Sequence, residues 1–348
     1  MTVLRAQDVD AFLLGLGLLG SGGGGDPEVF RPTLLRALGT GEVVLHDPDE
    51  LGEDLVVAIG MLGGTRVLTE KLPSGTEFHS SVDALARWTG TRAGAVMPIE
   101  AAGVNGALVV VAAASLGLPL VDADFMGRAL PRTDQFSRAI AGGPLTPCAM
   151  TEPGGQTILL DGGDPVSVER VARGFVAQSG GWAGCAFAPV PASVVAQDSC
   201  RGSLTRALDL GRAHASLPRK PSSAQVADAL GGRVLAAGRT IEIARRASAT
   251  FGRASIAIID ESGAVLRLEA ENEYLLALLD GEPVASCPDL ICVLDRRTAT
   301  PIVVDGLRLG DDVSVVVLPG PQWWWATPER LACVGPRAFG LDCDPVPL

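Results

Sequence analysis

Apolar and polar positions along this chain follow two different rhythms, and the change between them divides it. Up to about residue 215, stretches with helical spacing alternate with short apolar runs. Val9, Phe12, Leu13, Leu16 and Leu19 recur at that spacing and predict a helix over residues 7–19. A second helix is expected from Pro27 to about Leu38, with Asp26 as its N-cap and Gly39 at its end. Val43–Leu45 reads as a strand, and Leu55–Gly60, apolar throughout, as a strand buried on both faces. A helix over Ser81–Thr89 leads into the strand Ala95–Met97, and the apolar run Ala107–Leu116 leads into the strand Leu120–Val121. This strand–helix–strand order predicts a parallel sheet with crossover helices. Thr157–Leu160 reads as a strand and Asp161–Pro165 as a turn cluster. Helices are expected over Val168–Ser179 and Ser203–Ala215, with Gly180–Gly184 between them as a glycine-rich break.

From about Gly232 the rhythm shortens. Arg233–Ala237, Thr240–Ala244, Ser255–Ile259, Ala264–Glu269, Leu290–Val293, Pro301–Val304 and Val313–Leu318 are β-rich runs, mostly separated by Gly or Asp. They predict an antiparallel or mixed β domain. The expected fold is an α/β N-terminal domain with a mostly parallel sheet over residues 1–165, followed by a β-rich (α+β) C-terminal domain over residues 166–348.

Composition narrows the partners. The 348 residues are 47% hydrophobic and 20% charged, enough apolar material for two cores. The net charge of −12, with Lys71 and Lys220 as the only lysines, leaves no basic patch. Nucleic acid and anionic membrane surfaces are therefore excluded as partners. Residues 11–20 are apolar, but Asp8 and Asp10 precede them where a secretory signal is basic, and the run is too short for a membrane span. A cytoplasmic location is the expectation. The seven cysteines are widely spaced with no CxxC, which signals neither a disulfide framework nor a zinc site. Trp323-Trp324-Trp325 suits packing at a β-domain edge or an interface, with ligand stacking as the alternative, and a homo-oligomer is also among the expectations.

Candidate chemistry concentrates in residues 94–128. Glu100 follows the strand that ends at Pro98, a small-residue turn places Asn105, and Asp122 and Asp124 follow the strand Leu120–Val121, with Arg128 closing the stretch. Open α/β sheets place ligand sites at carboxyl ends of strands. A glutamate among apolar neighbours can serve as a general base, and an amide supplies donor and acceptor in fixed geometry. Asp122 and Asp124 either bind a divalent metal, zinc or manganese, or share a proton, or cap a turn. Arg128 can neutralise them or grip an anionic substrate arm. The chain has only two asparagines, and the second, Asn272, lies between Glu271 and Glu273 and beside Tyr274, the single tyrosine. Each Asn has a plain alternative as a turn or cap residue.

Two glycine patterns differ in weight. Gly15, Gly17 and Gly20 spell GxGxxG inside a predicted helix, where a dinucleotide fingerprint does not work, and no nucleotide is expected. Gly20–Gly25 precedes a helix N-terminus and can present backbone N–H groups, at Gly23 and Gly24 in particular, to an anion or a carbonyl. A flexible turn is the alternative. Cys287, before Pro288-Asp289, is a minor candidate nucleophile.

Several segments together resemble one known family. They are Leu19–Pro27 with its glycine run, Glu70-Lys71, Glu100–Asn105, Asp122-Ala123-Asp124 with Gly127-Arg128-Ala129, Asn272-Glu273, Pro288–Ile291 and Pro336–Gly340. Their order is similar to that of the family known as domain of unknown function 917. That family is linked to S-methyl thiohydantoin desulfurase and, loosely, to hydantoinase- and oxoprolinase-type proteins. The resemblance spans nearly the whole chain and implies the same two-domain division. Ala101-Ala102-Gly103 departs from the usual glycine pair, and Arg132 follows Pro131 where an acid is usual, so a substrate other than the family's named one is among the expectations.

The resulting expectation is a hydrolase acting on a small cyclic amide or thioamide, an S-methyl thiohydantoin or hydantoin, in an interdomain cleft. Glu100 is expected as general base, with Asp124 and Glu273 as further catalytic carboxylates. Asp122 and Asp124 are the metal ligands if a metal is bound. Gly23, Gly24, Asn105, Arg128, Asn272 and Asp289 are expected to bind the small-molecule substrate. The alternative is a non-catalytic small-molecule-binding or regulatory protein. An ATP-dependent ring opener finds no phosphate-binding signature.

Overall fold

The buried run read as Leu55–Gly60 extends to Gly63 and becomes the strand with most neighbours in a nine-stranded sheet. The structure, a computed structural model, describes residues 2–246 and 251–348. Its contacts gather into two units, neither continuous in sequence. The first takes the chain up to Val9, Asp26–Gly127 and Arg132–Thr205, and the second takes Asp10–Gly25, Arg128–Pro131 and Arg206–Leu348.

The sheet of the first unit is mixed. Its order is Thr2–Arg5, Glu42–His46, Leu120–Val121, Ala95–Pro98, Leu55–Gly63, Trp182–Ala186, Cys148–Thr151 and Thr157–Leu160, with Val190–Pro191 pairing to Leu55–Gly63. Parallel pairing is confined to the run from Glu42–His46 to Leu55–Gly63, and the flanks are antiparallel. Helices supply the crossovers that parallel neighbours require: Glu77–Thr89 precedes Ala95–Pro98, and Gly103–Leu116 follows it. Gly103–Leu116 shows no polar face because it is buried for most of its length. This is the α/β architecture expected of the N-terminal region. The glycine-rich break at residues 180–184 is shorter than expected. Gly180 and Gly181 adopt left-handed backbone, and a strand starts at once with Trp182. Gly184 lies inside that strand, where a Cβ would crowd Glu77 of the helix above.

The second unit carries a seven-stranded antiparallel sheet. Its order is Glu282–Ser286, Glu273–Leu279, Val265–Glu271, Arg253–Asp260, Arg233–Arg246, Asp312–Leu318 and Leu290–Asp295. Alternate side chains such as Ile256 and Ile258, Leu266 and Leu268, Ile291 and Val293, and Val313, Val315 and Val317 share one core, the period of two expected of strands. Two predicted runs, Arg233–Ala237 and Thr240–Ala244, are one strand. Gly238 does not break it, because a Cβ there would overlap the Ile259 carbonyl on the neighbouring strand. Pro301–Val304 is not a strand. Only Pro301 forms a single bridge, to Leu294, while Val304 donates its N–H to Gly22.

The literal GxGxxG has a packing explanation. Helix Val9–Leu19 crosses helix Ser203–Ala215 at backbone distance, since a Cβ on Gly15 would overlap the Ala207 carbonyl and one on Gly211 the Ala11 carbonyl. Gly17 lies against Pro301, and Gly20 against the Gly23 carbonyl.

Candidate functional site

Pro98 ends its strand, and the next residues turn across its carboxyl end. Ile99 donates its N–H to the Ile59 carbonyl at 2.9 Å, which holds the turn beside the strand Leu55–Gly63. Glu100 then sits 7% exposed and Asn105 4% exposed. The Asn105 amide joins the two segments. Its Nδ2 donates to Glu100 Oε1 at 2.8 Å and to the Met61 carbonyl at 3.4 Å, and its Oδ1 accepts from the Met61 N–H at 2.7 Å. An apolar residue of the same size could supply none of these bonds, so Asn105 fixes both the position and one lone pair of Glu100. Gly60 lies alongside, where any Cβ would overlap the Ile99 side chain.

Asp122 and Asp124 lie two residues apart but hold different partners. Asp122 accepts from the Leu204 N–H at 2.9 Å, the Thr205 N–H at 3.1 Å and the Thr205 hydroxyl, so it caps helix Ser203–Ala215 from a distant part of the sequence. Asp124 is fully buried. It accepts from the Ala101 N–H at 2.5 Å, the Met126 N–H at 2.8 Å and the Gly127 N–H. Burial raises the Asp122 carboxyl above its ordinary value and pushes Asp124 up to about 6, in both cases against the pull of these donors. The sequence-based expectation of a zinc or manganese ion on this pair finds no ligand set. Both carboxylates face N–H and O–H donors, and among the described residues no group of three or more His, Cys, Asp and Glu side chains is gathered for a metal.

The remaining sequence-predicted residues belong to the second unit. Gly22 and Gly24 are left-handed. A Cβ at Gly23 would overlap the Glu273 carboxylate, and one at Gly22 the Tyr274 ring, so the glycine run lets the loop lie directly on residues 273–274. The Ser21 hydroxyl donates to the Ile291 carbonyl at 2.9 Å, and the Tyr274 N–H donates to Ser21 at 2.7 Å. Arg128 is fully buried, and its guanidinium is engaged by main-chain carbonyls: Ala129 at 3.0 Å, Asp289 at 2.7 Å and Tyr274 at 3.2 Å. Burial lowers its pKa, opposed by the nearby Cys287, Glu273 and Asp289. The Asp289 carboxylate accepts from the N–H groups of Gly320 at 2.6 Å and Leu348 at 2.9 Å, and from the Trp325 indole at 3.2 Å. Asn272 is exposed, with φ +58, between the paired strand ends Glu271 and Glu273, and its Oδ1 accepts from the Gly252 N–H at 3.2 Å. Cys287 is buried beside Arg128, and burial pushes its thiol up to about 12, which keeps it protonated.

The structure thus divides the predicted residues into two sets. Glu100, Asn105, Asp122 and Asp124 share the first unit, while Gly23, Gly24, Arg128, Asn272, Glu273 and Asp289 share the second. Sequence reasoning missed one member of the first set. Ser203 follows Gly202 at the start of its helix, and the strand Cys200–Arg201 pairs with Ala123–Asp124, Cys200 standing opposite Asp124. The helix start at Ser203 was visible in the sequence, but the two-residue strand before it and its pairing with Ala123–Asp124 were not.

Residues 7–162 match the model of the S-Me-THD-like N-terminal domain, and residues 163–348 match that of the S-Me-THD-like C-terminal domain. The chain belongs to the S-Me-THD-like family. It is also similar to the X-ray crystal structure of a protein from Chromobacterium violaceum, at a TM-score of 0.81 and 24% identity over 99% of each chain. At that identity the likeness shows a shared fold. No curated protein matches the chain. The S-Me-THD-like resemblance expected from the glycine run, the Glu100–Asn105 segment and the Asp122–Asp124 segment therefore holds along the chain. Among the described residues, no helix of this S-Me-THD-like protein is long and apolar enough to cross a membrane.

Proposed function

We propose that this S-Me-THD-like protein hydrolyses a small five-membered cyclic amide or thioamide, with an S-methyl thiohydantoin as the substrate class. Family membership supports the class, and the first unit supports the chemistry. The observation that carries the reading is the buried Glu100 carboxylate at the carboxyl end of a parallel strand, held at 2.8 Å by the Asn105 amide. A carboxylate fixed in this way suits a general base. Water adds to the amidine-like ring carbon and gives a proton to Glu100. The carbon–sulfur bond breaks, and the departing thiolate takes that proton and leaves as methanethiol. The ring product is a hydantoin.

The test is release of methanethiol from an S-methyl thiohydantoin, followed with a thiol reagent. Glu100→Gln keeps the acceptor for Asn105 and removes the base. It is expected to lower steady-state turnover by roughly 10²- to 10⁴-fold, the usual share of general base catalysis, with an unchanged melting temperature. Full activity in this variant would refute the assignment of Glu100. A protein that binds such rings without turnover would instead be a binding module.

A further inference from the structure

The short ladder between Ala123–Asp124 and Cys200–Arg201 has a consequence for the residue just beyond it. Gly202, at φ +70, donates its N–H to the Asp122 carbonyl at 2.7 Å and turns the chain into helix Ser203–Ala215. Gly202, the residue before the helix, has no side chain with which to cap the first-turn amides. Here that task belongs to Asp122, which accepts from Leu204 and Thr205. The Ser203 hydroxyl is left with no such duty. It is 4% exposed and makes no hydrogen bond of normal geometry among the described residues. Its chain neighbours Gly202 and Leu204 are both bonded to Asp122, two residues from Asp124, and the hydroxyl favours the charged form of the Asp124 carboxylate. A buried hydroxyl with no settled partner costs stability, so its presence calls for another explanation. Asp124, in turn, is oriented by three backbone N–H groups, those of Ala101, Met126 and Gly127. A hydroxyl, an adjacent carboxylate and a rigid orienting group are the parts of an activated nucleophile.

We infer that Ser203 is the nucleophile of the hydrolysis, with Asp124 taking its proton and Glu100 reserved for the water that completes the reaction. The inference rests on the hydrolase reading above and divides it into two steps. In the first, Ser203 Oγ bonds to the amidine-like carbon and its proton passes to Asp124. The carbon–sulfur bond breaks, and the thiolate leaves as methanethiol with the proton from Asp124. In the second, water gives a proton to Glu100 and adds to the same carbon. The Ser203–carbon bond then breaks, and Ser203 Oγ takes a proton back. The sum is substrate plus water to hydantoin plus methanethiol.

The second step depends on Glu100 and the first does not, so Glu100→Gln should stall the enzyme with the ring attached. This variant, mixed with an S-methyl thiohydantoin and quenched in acid, is expected to give a single burst of methanethiol. The tryptic peptide of residues 202–206 should then be heavier by the ring without its methanethiol, and fragmentation should place the adduct on Ser203 rather than Thr205. Ser203→Ala is expected to lose roughly 10³-fold or more in turnover while its melting temperature stays level or rises, an outcome a merely structural serine would not give. Methanethiol release by wild type together with an unmodified 202–206 peptide in Glu100→Gln overturns the covalent route and leaves the hydrolase reading standing. So does Ser203→Ala turnover within about tenfold of wild type. No methanethiol from wild type overturns both. If Ser203→Ala fails to fold, the adduct alone decides.

Discussion

Replacing Asp122 by alanine would remove the side-chain acceptor that caps the start of helix Ser203–Ala215. Three donors would be stranded: the N–H groups of Leu204 and Thr205 and the Thr205 hydroxyl. Loss of a capping side chain costs about 1 kcal/mol. Each buried donor left without a partner adds about 1–3 kcal/mol, less where water reaches it, as at half-buried Thr205. Removing a carboxylate whose charged form burial disfavours returns part of this. A net local cost of about 3 kcal/mol follows, or roughly 100-fold in the opening equilibrium of the first helical turn. Hydrogen exchange across residues 202–215 reads that equilibrium directly, whether or not the two units unfold together. Asp122→Asn keeps an acceptor and is expected to cost about 1 kcal/mol or less. Exchange in Asp122→Ala within about threefold of wild type would refute the capping role and return Asp122 to the pool of ligand-binding carboxylates.

Two further outcomes follow from contacts elsewhere. The Lys71 ammonium, bonded to Glu152 at 2.6 Å, holds that carboxyl at about 2, below its ordinary 4.5. Because the folded value is the lower one, the stabilisation is complete above pH 4.5 and is lost as pH falls from there toward 2. Lys71→Met should therefore flatten the acid side of the stability–pH curve measured by urea unfolding, and an unchanged acid limb would sink the assignment. Gly211→Val forces a side chain into the Ala11 carbonyl where helices Val9–Leu19 and Ser203–Ala215 touch. It should cost about 3 kcal/mol or more, read as a lower thermal midpoint, whereas a midpoint equal to wild type would mean the helices can part without penalty.

Local pattern carried much of the fold. The strands Leu120–Val121 and Thr157–Leu160 and the helix Ser203–Ala215 lie where the spacing of apolar residues puts them. The errors have physical causes. Trp182–Ala186 was hidden because glycines read as a break can also sit in a strand that a helix presses upon. Glu273–Leu279 was hidden because a continuous apolar run such as Tyr274–Leu279 fits a buried helix segment as well as a buried strand. Asn105 beside Glu100 was legible, since they lie five positions apart across one turn.

By itself, the sequence determined the two fold rhythms, the acidic surface and the set of polar residues at strand ends, because these depend on spacing and composition. Only the tertiary structure decided what those residues do. Asp122 became a cap because a helix more than eighty residues away in sequence starts against it. Arg128 became a brace for main-chain carbonyls because two distant segments meet around it. Cys200, three residues before Ser203, came opposite Asp124 through a two-residue ladder too short to leave a signal in the chain. Hydrogen-bond partners are set by which segments meet, and those meetings are long-range.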